Sequence, residues 1–110
     1  MSEYLWVTTN SVQGRRIVAT LGGVRGNSIR ARHLGRDILA ALKGLVGGEL
    51  HGYTALLAQA REQAMDRMFD QARQLGANAV IEVRFASAEV ARNAAEILVY
   101  GTAVILEDEE

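Results

Sequence analysis

The chain has 110 residues, no cysteine and no proline, with 49% hydrophobic and 23% charged residues and a formal net charge of -1. That length supports one domain with one modest core. The missing cysteines exclude a disulfide framework and a thiolate metal site, and the near-neutral charge lacks the basic excess of a general nucleic-acid binder. Only six aromatic residues are present, so Ala, Val, Ile and Leu must supply most of the core. The charge is unevenly spread. Residues 1–50 hold seven Lys/Arg against three acids, and residues 51–110 hold five against ten. Opposite charge on two halves suits contact between copies of the chain.

Tyr4–Thr9 (YLWVTT) reads as a short strand, rich in aromatic and β-branched residues. Asn10–Gly14 is a turn. Arg15–Val24 (RRIVATLGGV) reads as a second strand, and Gly22-Gly23 marks a bulge or a close backbone approach. Gly26-Asn27 signals a turn, with a further extended piece over Ser28–Arg32. A short helix follows from about Leu34, with Ile38, Leu39, Ala41, Leu42 and Leu45 at helical spacing, and Gly44, Gly47 and Gly48 end it.

The next helix is the clearest element. Tyr53, Leu57, Ala60, Ala64, Met68, Ala72 and Leu75 recur at three- and four-residue steps, and Gly76 stands where a left-handed cap is expected. Asn78–Ala86 reads as a strand with Ala79, Ile81, Val83 and Phe85 on one face and Val80, Glu82 and Arg84 on the other. Ser87–Ala94 is a connection. Ala95–Leu106 is a long last strand, apolar on both faces, and residues 107–110 form an acidic tail that frays. Two helices can cover one face of a four-stranded sheet, so the other face calls for a second copy of the chain.

Taken together, "VTTNSVQGRRI", "LGGVRGNSIRARHLGRDILAALKGLVGGEL", "YTALLAQAREQAMDRM", "LGANAVIEVRF" and "AAEILVYGTAV" resemble the YbjQ-like family of small, uncharacterised bacterial proteins to which heavy-metal binding has been ascribed. The resemblance runs from about Leu5 to Ile105. It implies an α+β subunit similar to that of dodecin, a two-layer sandwich of an antiparallel sheet and two helices in the order β-β-α-α-β-β. It also implies a homopentameric ring that can stack into a decamer, and it brings no agreed reaction with it. The expected organisation is therefore a single domain over residues 1–106 plus the acidic tail.

The chemistry offered by the side chains is sparse. Arg25, Arg30, Arg32 and Arg36, with Gly26 and Asn27, precede a helix N-terminus, a combination suited to a small phosphate or carboxylate. Neither a P-loop nor a dinucleotide fingerprint is present. The same arginines could instead meet acids of a neighbouring copy. A metal site would need His33, Glu49 and His51 assembled across subunits, because no close His/His spacing exists, and Met65 and Met68 read as packing. Glu82 and Glu96 could form a carboxylate pair on adjacent strands, although Arg84 beside Glu82 favours a salt-bridged contact. Ser11, Ser28 and Ser87 sit in turns with no nucleophile elbow, and Trp6, Tyr4, Phe85 and Tyr100 read as isolated core residues rather than a base-stacking platform. The expectation is a cytoplasmic, homo-oligomeric binding or scaffold protein without a cofactor, acting on neither membranes nor nucleic acid. A small anion is the first ligand class, a cross-subunit metal the second, and an enzyme the third.

Overall fold

The computed structural model describes residues 4–30, 51–91 and 94–109. Its elements are β1 (Leu5–Trp6), β2 (Arg15–Arg30), α1 (His51–Gln74), β3 (Ala79–Ala91) and β4 (Ala94–Asp108). They form an α+β unit with a four-stranded sheet in the order β1-β3-β4-β2. The sheet is mixed rather than antiparallel throughout, because β1 runs parallel to β3, with Leu5 opposite Ala79 and Trp6 opposite Val80. The short helix expected after Leu34 lies outside the described residues.

Three sequence expectations about strand limits change. Gly26-Asn27 is not a turn, and β2 continues unbroken to Arg30, paired antiparallel with β4. Nor do Ser87–Ala91 form a connection: they extend β3, with Ser87 opposite Ile97 and Glu89 opposite Ala95. These polar and alanine-rich residues carry little strand propensity of their own, and the ladder with β4 supplies the order. The acidic tail also starts later than expected. Glu107 and Asp108 continue β4 and meet Arg16 and Arg15 in ion pairs of 3.3 and 2.6 Å. Some of the charge asymmetry between the two halves is thus matched within one chain.

α1 forms for the reason its spacing implies. Ala60, Ala64, Met65, Met68, Phe69 and Ala72 are buried on one side. Leu75, expected in that stripe, is 47% exposed, while Phe69 takes a core place. Gly76 adopts a left-handed φ of 85°. The Ala77 N–H donates to the Ala72 carbonyl and the Gly76 N–H to the Arg73 carbonyl, the paired bonds of a Schellman cap. The alanines let the helix lie close to β2. A Cβ added at Gly26 would stand 2.0 Å from the Ala64 carbonyl oxygen and 2.5 Å from the Met68 nitrogen, so the glycine serves helix–strand packing.

Register shifts control which side chains reach this core. In β2 the register shifts between Ile17 and Ala19 and again between Thr20 and Gly22, where Gly22 has φ 134°, as its glycine pair implied. In β3 the register shifts between Ile81 and Arg84, and Glu82 takes φ 53°. That extra residue reverses the expected alternation. Val80 and Val83 both join the helix-side core with Met68 and Val99. Ala79 and Ile81 join Val104 and Leu106 on the other side, covered by Val7 and Val12 of the β1–β2 loop. Gly101, opposite the bulge, is needed because a Cβ there would approach Val80 Cγ1 to 2.8 Å.

Polar groups at the margins are satisfied locally. Asn78 holds Leu106 through two bonds, its Nδ2 donating to the carbonyl and its Oδ1 accepting from the N–H at 2.8 Å. Tyr4 stacks on Phe69 and donates its hydroxyl to the Ala77 carbonyl. Burial pushes the Tyr4 phenol pKa up, and the nearby Arg73 guanidinium partly offsets that rise.

Candidate functional site

The helix also works along the outer edge of β2. Gln63, Arg67 and Gln71 recur every four residues and so share one face of α1. Gln71 Oε1 accepts from the Arg25 N–H at 3.0 Å, and Arg67 Nη1 donates to the Asn27 carbonyl at 2.6 Å. Ser28, expected in a turn, is a buried strand residue whose hydroxyl donates to Gln63 Oε1. These contacts hold β2 in the segment that carries the expected anion residues.

That segment divides its residues between two faces. Residues opposite one another in an antiparallel ladder share a face. Gly26 stands opposite Val99 on the helix side. Arg25 stands opposite Tyr100, and Tyr100 opposite Arg84, on the side away from the helix. The next row on that side is Asn27, Leu98 and Ala86, followed by Ile29, Glu96 and Ala88. Arg30 ends β2 opposite Ala95. Arg32, Arg36, His33 and Glu49 lie outside the described residues. His51 opens α1.

Among the described residues, the face of the sheet away from α1 is covered at one end only. The loop core of Ile81, Val104 and Leu106 is closed by Val7 and Val12. Past it, Tyr100 is 45% exposed and Ile29 54% exposed. Arg84 Nη1 donates to the carbonyls of Thr8 at 2.7 Å and Val83 at 3.0 Å, which orients its guanidinium over the rim of the loop. Asn27 Nδ2 donates to Glu96 Oε2 at 2.7 Å. Trp6 and Phe85 meet edge to face at 6.3 Å near the β1–β3 edge, and both are partly exposed. Of the four aromatics read as core, only Tyr4 fits that description.

The carboxylate pair is not formed. Glu96 is opposite Ala88, six residues along β3 from Glu82, a separation of about 20 Å. Among the described residues no ion pair joins Arg84 to Glu82, because the bulge intervenes and Arg84 turns to backbone carbonyls. The described donors do not fit a heavy-metal site either. No group of three His, Asp or Glu side chains converges among them. The two soft donors, Met65 and Met68, are buried as packing residues.

What sequence reasoning missed is the row Arg25–Tyr100–Arg84. Arg84 and Tyr100 lie far from Arg25 in sequence, and only the two strand registers bring them together. The alternation of β4 had correctly put Tyr100 on the Leu98 and Thr102 face.

Comparison with known proteins adds the following. Residues 4–107 match the YbjQ_1 family, described as "Putative heavy-metal-binding". A UPF0145 protein of Hahella chejuensis is 57% identical over 97 residues, covering 88% of this chain and 93% of that protein. One from Halorubrum lacusprofundi is 56% identical over 98 residues, covering 89% and 94%. One from Thermus thermophilus is 55% identical over 105 residues, covering 96% and 92%. A crystal structure of a protein of unknown function from Pediococcus pentosaceus, assigned to the DUF74 family, shares the fold with a TM-score of 0.64 at 16% identity. The similarity spans 94% of this chain and 98% of that one.

Proposed function

Because the chain belongs to the YbjQ_1 family, which brings no defined reaction with it, we propose that it is a homo-oligomeric binding protein of the cytoplasm, holding a small anion where its subunits meet. The observation that carries this reading is the half-covered sheet. One end of the helix-free face has its own lid, and the other leaves Tyr100 and Ile29 exposed. Exposed large apolar side chains on an uncovered sheet face are a common mark of association. Strand edges add to it. On its outer edge β3 meets β1 and the Val7 and Thr9 carbonyls, and among the described residues no strand pairs with that edge beyond Val83; Ile17 and Val18 of the opposite edge strand β2 are exposed. A closed ring is the symmetric way to use two different edges of one subunit, and the pentamer implied by the family resemblance is such a ring.

Arg25 lies on the same uncovered face, so an anion bound there would sit at or near a seam. Native mass spectrometry and light scattering test the assembly, with a single closed species expected at micromolar concentration and a monomer refuting it. Thermal shift against phosphates and carboxylates tests the ligand class. Stabilisation that is reduced in Arg25→Ala is expected, and a flat response across the panel refutes the anion reading. Among the described residues the donor set gives no comparable support for a metal.

A further inference from the structure

The registers of β2, β4 and β3 align Arg25, Tyr100 and Arg84 across three neighbouring strands. We propose that this row binds a small planar aromatic anion, an aryl phosphate or aryl carboxylate, with its ring on Tyr100 and its charge between the two guanidinium groups. The inference rests on the small-anion reading above and adds the aromatic part of the ligand.

Spacing favours such a molecule. Adjacent strands lie about 4.8 Å apart, so the two arginine backbones are about 10 Å apart with the tyrosine midway. Both side chains are long enough to reach inward over a ring that rests on Tyr100. Orientation is partly set in advance. One nitrogen of Arg84 is held by the carbonyls of Thr8 and Val83, which leaves its other N–H groups available to an anion. The Arg25 backbone is tied to α1 through Gln71, and the structure gives its guanidinium no acid partner among the described residues.

The surroundings leave both room and charge. Flanking rows contain Gly23, Thr102 and Ile81 on one side and Asn27, Leu98 and Ala86 on the other. Ile81 is buried under the loop, so it does not stand over the exposed Tyr100 ring, and Leu98 extends the apolar floor beside it. The carboxylate of Glu96 is two rows away and bonded to Asn27. Glu82, in the bulge beside Arg84, makes no ion pair with it among the described residues. Two exposed arginines hold a bare anion weakly in salt, because water and counterions screen them. Stacking on an aromatic face is not screened, and arginine adds its own planar contact to an aromatic ring. A ligand with both features therefore fits better than one with either alone.

The test is isothermal titration calorimetry on the full chain with phenyl phosphate, inorganic phosphate and phenol. Phenyl phosphate is expected to bind at least tenfold more tightly than either of the others. Tyr100→Leu and Arg25→Ala should each weaken it about tenfold, whereas Arg61→Ala on the exposed side of α1 should leave it unchanged. Circular dichroism of each variant checks that the fold persists. Equal affinity for phenyl phosphate and inorganic phosphate, lost in Arg25→Ala, would keep the small-anion reading and overturn the aromatic one. No binding of any probe would overturn both. Phenyl phosphate affinity that survives Tyr100→Leu would place its site elsewhere and reject the proposal.

Discussion

The two faces of the sheet are packed in different ways. On the helix side, α1 presses on β2 through alanine and glycine, with backbone against backbone. On the other side, a loop lays Val7 and Val12 over four side chains and stops. A regular helix can run the length of a strand pair, and a 24-residue helix is about 36 Å long. A short loop cannot, so among the described residues the helix covers β2 and β4 along their shared length while the loop leaves part of the other face bare. The difference teaches where a partner or ligand has room.

Gly26→Ala should break the helix side most severely. The new methyl would collide with backbone atoms that cannot rotate away, so a loss of about 3 kcal/mol or more is expected in urea unfolding. Ile81→Ala attacks the loop side. The buried side chain sits under a lid that can partly collapse, and a loss of about 2–4 kcal/mol is expected. If Ile81→Ala proves more damaging than Gly26→Ala, the contrast between a rigid and a yielding cover fails.

Asn78→Ala probes how the loop-side core is anchored to β4. It removes both side-chain bonds to Leu106 and should cost about 1–2 kcal/mol, with faster hydrogen exchange at the Leu106 amide. Tyr4→Phe gives the smallest effect at neutral pH, about 1 kcal/mol for the lost bond to Ala77. Its pH dependence is the sharper readout. Burial raises the Tyr4 pKa in the folded state, so the native protein keeps a proton that the unfolded chain releases near pH 10.0. The associated stability is fully present below that pH and is lost as pH rises through the folded value. Denaturant midpoints measured up to the alkaline limit should fall less steeply in Tyr4→Phe than in the parent chain.

Much of this was legible in local pattern. The long helix shows in its alanine-rich stripe, the cap in Gly76, and the β2 bulge in the Gly22-Gly23 pair. The packing roles of Met65 and Met68 are equally plain. Gly26-Asn27 was misleading because a glycine needed for close approach looks the same as one needed for a turn. Ser87–Ala91 was missed because small polar residues become strand only through a partner. The candidate site was half legible. Arg25 and Asn27 stood out as part of a basic segment, but Tyr100 and Arg84 had no local signal linking them to it.

By itself the sequence determined the long helix, its cap and the presence of the main strands, since those depend on residues within a few positions of one another, and the joint pattern along nearly the whole chain determined the family. Tertiary structure alone decided the strand order, the parallel placement of β1 and the bulge at Glu82. That bulge reverses side-chain alternation, because one extra residue in a period of two turns every later side chain to the opposite face. The same long-range pairing sets Arg25, Tyr100 and Arg84 in one row, and no spacing along the chain encodes it.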